Sequence, residues 1–195
     1  MKKLCLSIFI FLLAGCTALQ APHIEHTHRY LLNAQAAATA ATKRNRVLAI
    51  SPSTARPGYD TPQIAYLRQP LELEYFATHR WADTPAHMLR PLLMQALESQ
   101  YSAVVSAPGQ VTAHLRLDTE LIRLQQDFTS APSRVQLTVK AQLIDVQEKR
   151  IIAVQVFDES ETSASEDAYG GVLAANRALE RILTHLTEFC SAASK

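Results

Sequence analysis

The sequence predicts an α+β fold, a two-layer sandwich in which a twisted, largely antiparallel sheet with a long three-strand meander packs against two amphipathic helices. Two patterns carry this expectation. Between Val111 and Val156, apolar and polar residues alternate with period two in three successive runs. On either side of that block, after Thr84 and after Asp167, apolar residues recur at three- and four-residue steps. A sheet with one wet face and helices with one apolar stripe must bury those surfaces against each other, and two layers is the simplest way to do so.

The elements follow in order. Tyr30-Leu31-Leu32 is a short strand candidate, and the alanine-rich stretch to Thr42 has high helical propensity but no defined apolar face, so it reads as loop or weak helix. Val47-Leu48-Ala49-Ile50, stopped by Pro52, predicts a buried strand. Pro57-Gly58 marks a turn, and two further strands are expected over Gln63 to Arg68 and Leu71 to Phe76, with Pro70 between them where its missing N–H harms no ladder. Thr84-Pro85 is a helix start, threonine as N-cap and proline in the first turn. Met88, Leu89, Leu92, Leu93, Ala96 and Leu97 then form the stripe, with Pro91 inside the helix.

In the meander, Val111, Ala113, Leu115 and Leu117 occupy one face of the first strand. The later apolar residues Ile122, Leu124 and Phe128 fall on even positions, which predicts a register shift through a bulge. Val135, Leu137, Val139, Ala141 and Leu143 alternate more cleanly, and Ile152, Val154 and Val156 make the third strand after a turn at Glu148-Lys149. The acidic, serine-rich stretch from Asp158 to Asp167 supplies N-caps for a last helix striped by Val172, Ala175, Leu179, Ile182, Leu183, Leu186 and Phe189.

The start of the chain addresses it. Lys2 and Lys3 precede an apolar run from Leu4 to Leu13 that is too short to span a bilayer as a helix, which takes roughly 20 residues. Residues 1–15 therefore read as an export signal. Leu13-Ala14-Gly15-Cys16 resembles the bacterial lipobox, which implies acylation of Cys16 and anchoring by several fatty chains, each buried CH₂ contributing about 0.8 kcal/mol. Thr17, rather than Asp, follows the cysteine. By the enterobacterial pattern that implies the outer membrane, facing the periplasm, with inner-membrane anchoring as the alternative. Residues 16–29 read as a lipidated tether and 30–195 as the folded domain. The tether holds His23, His26 and His28, but only Glu25 accompanies them, so a solvated linker is expected and no metal site.

Composition narrows the function. With 48% hydrophobic and 19% charged residues the chain supports a packed core, and a net charge of +1 gives no reason to expect nucleic acid. Of three cysteines, Cys5 leaves with the signal and Cys16 is acylated, so Cys190 stands alone and reads as a buried apolar residue. Lys43-Arg44-Asn45-Arg46, the one basic cluster, reads as a solvated loop. There is no Gly-x-Ser-x-Gly elbow, no His-Glu-x-x-His, no paired Cys-x-x-Cys, and five glycines are few for a phosphate cradle. Neither catalysis nor a cofactor is expected.

From Val47 to Gln100 the order of features resembles the auxiliary lipoproteins of ABC-type transport systems, the group that includes the PqiC lipoproteins. It rests on Pro57-Gly58-Tyr59-Asp60, then Gln63-Ile64-Ala65-Tyr66, the strand Leu71 to Phe76, Arg80-Trp81-Ala82, and the helix after Thr84-Pro85. The resemblance implies a non-enzymatic component of an intermembrane lipid-transport system, partnered with an MCE-domain substrate-binding protein, a permease and a cytoplasmic ATPase. A partner that is itself a ring would make a homo-oligomer the matching arrangement. Other readings are a structural envelope lipoprotein that never meets cargo, and a periplasmic hydrolase. Tyr59, Tyr66, Arg80 and Trp81 are the candidate docking residues, since aromatics and arginine anchor interfaces. In the competing reading Trp81 packs in the core and Arg80 pairs with Glu72 or Glu74.

Overall fold

The structure, a computed structural model, describes residues 26–37 and 43–193. The signal, Cys16, His23 and most of the tether lie outside the described residues, as does the alanine-rich stretch over 38–42. The strands are β1 (His28–Tyr30), β2 (Arg44–Ile50), β3 (Thr54–Ala55), β4 (Gln63–Leu67), β5 (Leu73–Trp81), β6 (Tyr101–Ser106), β7 (Leu115–Asp127), β8 (Arg134–Asp145) and β9 (Arg150–Thr162). Helix α1 spans Pro85–Leu97 and α2 spans Ala168–Ala193.

β7 is the spine of the sheet. Its 13 residues reach about 44 Å, long enough for three short strands to lie end to end along one side. β2 pairs with Leu115–Leu117, β3 with Glu120–Leu121 and β4 with Gln125–Asp127, all parallel to β7. On its other side β8 and then β9 continue antiparallel as the expected meander. β6 extends the sheet from β2, and β5 and then β1 extend it from β4. The long ladders are thus antiparallel and the short ones mostly parallel. The bulge predicted in β7 falls between Leu121 and Arg123, and it moves the buried set from Leu115, Leu117 and Leu121 to Leu124 and Gln126.

Both helices lie on one face. α2 covers β8 and β9 with a stripe that includes Val172, Ala175, Leu179, Ile182, Leu183 and Leu186, all buried. Asp167 opens it by accepting a 2.7 Å hydrogen bond from Gly170 N. α1 starts as predicted, with Thr84 accepting from His87 N and Pro85 in the first turn, and it keeps Pro91 inside.

Four boundaries differ from the sequence reading. β1 begins at His28, inside the segment read as tether, and pairs in parallel with His79–Trp81 of β5. Residues 31–37 carry no regular structure but are tied down along α2, where Asn33 N donates to Asn176 Oδ1 and Ala37 N to Thr184 Oγ1. β5 runs on to Trp81, and the turn before it places a fully exposed Leu71 at φ 69°. The expected strand at Val111–His114 is absent, and β6, an apolar edge without periodicity, takes up the neighbouring segment.

Candidate functional site: an aromatic face beyond the helix layer

α2 ends its cover of the sheet at Ala168, and the surface of β1, β5 and β4 beyond it is aromatic. Tyr66 on β4 and Phe76 on β5 have ring centroids 4.6 Å apart, and Phe128, just past β7, stands edge-on to Tyr66 at 6.0 Å. Phe76 leads to His79 at 6.0 Å, and His79 stacks on His28 at 4.9 Å and on Tyr30 at 5.8 Å. Tyr30 reaches Tyr169 in the first turn of α2 at 6.2 Å. Each such pair contributes on the order of 1 kcal/mol beyond its buried area, so the cluster holds itself rigid without a helix over it.

The polar fittings are few and specific. The Tyr66 hydroxyl donates to Glu74 Oε2 at 2.9 Å, and the Arg68 guanidinium lies 5.4 Å from the Tyr66 ring centroid. Tyr66, Arg68, Phe76, Phe128 and Glu166 line an open cleft of 420 Å³. Burial raises the Tyr66 phenol, and its bond to Glu74 raises it further. The Tyr30 hydroxyl and His79 Nδ1 are hydrogen-bonded at 2.8 Å. Burial and the neighbouring His28 hold the His79 imidazole below its ordinary value, against the opposing pull of Asp167. The shift favours the neutral imidazole, and the face presents rings with the Arg68 guanidinium and the Glu74 and Glu166 carboxylates around them.

The four residues singled out from sequence do not form one patch. Tyr66 belongs to the aromatic face. Trp81 is buried on the same side of the sheet, in the core, as the competing reading expected. Arg80 alternates with Trp81 and so points to the opposite face, and among the described residues it pairs with neither Glu72 nor Glu74. Tyr59 packs against the core from a loop and donates its hydroxyl to Gln125 Oε1. Phe76, Phe128, His79, Tyr30 and Tyr169 were not singled out from sequence. They come from four separate segments, and nothing in sequence spacing brings those segments together. The one local signal was Tyr66 and Arg68 at strand spacing.

Among the described residues no group of three or more His, Cys, Asp or Glu is placed to hold a metal ion. Among the same residues no helix is long and apolar enough to cross a membrane. Residues 30–187 match the family model of the ABC-type transport auxiliary lipoprotein component. The chain belongs to that family. This auxiliary lipoprotein has a fold shared with solved structures. Protein XCC0632 from Xanthomonas campestris is similar with a TM-score of 0.78 at 20% identity, over 85% of this chain and 96% of that one. The hypothetical protein CT253 from Chlamydia trachomatis reaches a TM-score of 0.53 at 10% identity, over 77% of this chain and 98% of that one. At such identities the likeness is one of fold. No curated protein matches this auxiliary lipoprotein.

Proposed function

We propose that this auxiliary lipoprotein is a non-enzymatic periplasmic component of an MCE/ABC-type intermembrane lipid-transport system, anchored in the outer membrane by acyl chains on Cys16. Residues 1–15 are removed as the signal. The observation that carries this reading is the family match across the folded domain. The fold supports it physically. A lipid crossing water needs a continuous apolar path, and a rigid domain held at one membrane keeps the far end of such a path in register. The chain between Cys16 and His28 spans at most about 40 Å when extended, so the domain stays close to the anchoring bilayer. It enters the sheet beside His79, at the aromatic face.

In this reading Tyr66, with Phe76 and Phe128 around the cleft, docks the MCE-domain partner, and Trp81 holds β5 in place beneath it. Arg80 faces the opposite side of the sheet, and Tyr59 braces the core from its loop. The permease and ATPase are reached through that partner. A photo-crosslinking amino acid at Phe76 in intact cells tests this. Recovery of an MCE-domain protein is expected, and recovery only of porins or cell-wall proteins overturns it. Cys16→Ser tests the anchor separately, by releasing the protein from the membrane fraction.

A further inference from the structure

The turn between β4 and β5 has the backbone of a glycine turn and holds a leucine. Gln69-Pro70-Leu71-Glu72 has proline second and closes with a 3.4 Å hydrogen bond from Glu72 N to Gln69 O. The third residue of such a turn takes a positive φ, which favours glycine or asparagine. Leu71 sits there at φ 69°, where a bulky side chain strains the backbone. The strain returns nothing within the domain, because Leu71 is 102% exposed, more than any other large apolar residue among those described. A lone leucine on a surface is ordinary. One that strains its backbone and buries nothing in return points to a surface outside the domain.

The direction of the chain says which surface. β1 runs parallel to β5, with His28 beside His79, so the chain enters β1 from the end of β5 at which the turn lies. From His79 back to Leu73 is about 20 Å along the strand. The tether between Cys16 and His28 spans up to about 40 Å, so a bilayer holding Cys16 is within reach of the turn. The residue just before the turn suits that bilayer. Arg68 is exposed and, among the described residues, makes no hydrogen bond or ion pair, its guanidinium resting 5.4 Å from the Tyr66 ring centroid. Glu72, across the turn, is already engaged by Gln69 Nε2. At a bilayer interface apolar side chains enter the acyl boundary, while arginine lays its stem along apolar surface and keeps its head among the headgroups. An exposed leucine beside an unpaired guanidinium has that division of labour.

We infer that the β4–β5 turn is a membrane wedge: Leu71 enters the acyl boundary of the bilayer that holds the tether, and Arg68 meets a lipid phosphate beside it. The inference rests on the anchor at Cys16 proposed above and not on the partner at the aromatic cleft. The experiment reconstitutes the full acylated lipoprotein in vesicles of phosphatidylethanolamine and phosphatidylglycerol, with an environment-sensitive dye on Gln69→Cys in the turn. Cys190 is buried and its thiol raised to about 12, so the dye goes to one site. Gln147→Cys, exposed in the turn between β8 and β9 at the other end of β7, is the control. Nitroxides carried on lipid tails should quench the dye in the β4–β5 turn and leave the control bright. Leu71→Asp should weaken insertion roughly ten- to a hundredfold, the worth of a buried leucine. Arg68→Glu should weaken it at least about fivefold, and Arg68→Lys should retain it. Leu71→Gly should abolish the quenching while the thermal midpoint stays level or rises, since glycine fits the turn. Protein that fails to float with the vesicles overturns the anchor and this inference with it. Protein that floats while the dye in the β4–β5 turn is quenched no more than the control, or stays quenched in Leu71→Asp, overturns the wedge alone. So does a midpoint that falls in Leu71→Gly, which would make Leu71 a residue of the fold.

Discussion

Replacing Gly171 by alanine tests how tightly α2 is seated on the sheet. Gly171 lies in the first turn of α2, where its bare Cα faces Gln126 of β7. A Cβ there would stand 2.8 Å from Gln126 Cδ and closer still to Oε1. A side-chain end normally swings away, but this one is held. Gln126 is buried, and its Nε2 donates to Ser133 Oγ at 3.0 Å and Ser163 Oγ at 3.2 Å. Moving it sacrifices two buried hydrogen bonds of about 1 kcal/mol each, or else lifts the helix at an overpacking cost of about 1–3 kcal/mol. Alanine returns up to about 1 kcal/mol of helix propensity. The net expectation is a loss of about 1 kcal/mol, the two bonds less the propensity gain, read as a lower midpoint at unchanged slope in urea unfolding. The cause is isolated by a double-mutant cycle. With Gln126→Ala already present, Gly171→Ala should be neutral or stabilising, because its obstacle is gone. A neutral or stabilising Gly171→Ala in the wild-type background refutes the reasoning.

Three further outcomes follow from the same structure. Thr84→Ala removes the cap that accepts from His87 N at 3.4 Å, a long bond, so thermal unfolding should show a loss near the lower end of the roughly 0.5–2 kcal/mol usual for caps. The depressed His79 imidazole means that, as pH falls through 6.5, the unfolded chain takes a proton there before the folded one does. Its contribution to stability is therefore intact above that pH and lost below it, and His79→Gln should flatten that part of a stability-versus-pH curve. Cys190, its thiol raised to about 12 by burial, should not react with an aromatic disulfide reagent in native protein and should react fully once unfolded.

The parts of the fold readable from sequence were those in which one segment carries its own period. The stripe of α2, the cap of α1 and the alternation of β8 each express burial against a single neighbour, so pattern and structure agree. The bulge in β7 was readable for the same reason, since one strand changes phase while the core stays put. β9 shows the limit of that reasoning. Its alternation of Ile152, Val154 and Val156 marks a strand but not a side, and the single Phe157, packed on Phe189, turns the valines outward. β1, β3 and β6 were harder still. They are short, and each gains most of its stability from a long-range parallel partner rather than from its own residues.

The aromatic face was illegible for a topological reason. Tyr30, Tyr66, Phe76, His79, Phe128 and Tyr169 meet because β4 and β5 attach at the far end of β7 and because α2 stops short of them. Read along the chain, all but Tyr66 are ordinary core candidates, and the sequence argument chose Tyr59, Tyr66, Arg80 and Trp81 because aromatics and arginine are frequent interface anchors. Adjacency in a strand works against a shared patch, since the pleat sends neighbours to opposite faces. Trp81 went to the core and Arg80 to the other side. A docking surface on a sheet is assembled from alternate residues of neighbouring strands, so the strand order decides its membership, and that order is set by the parallel tiling of β2, β3 and β4 along β7.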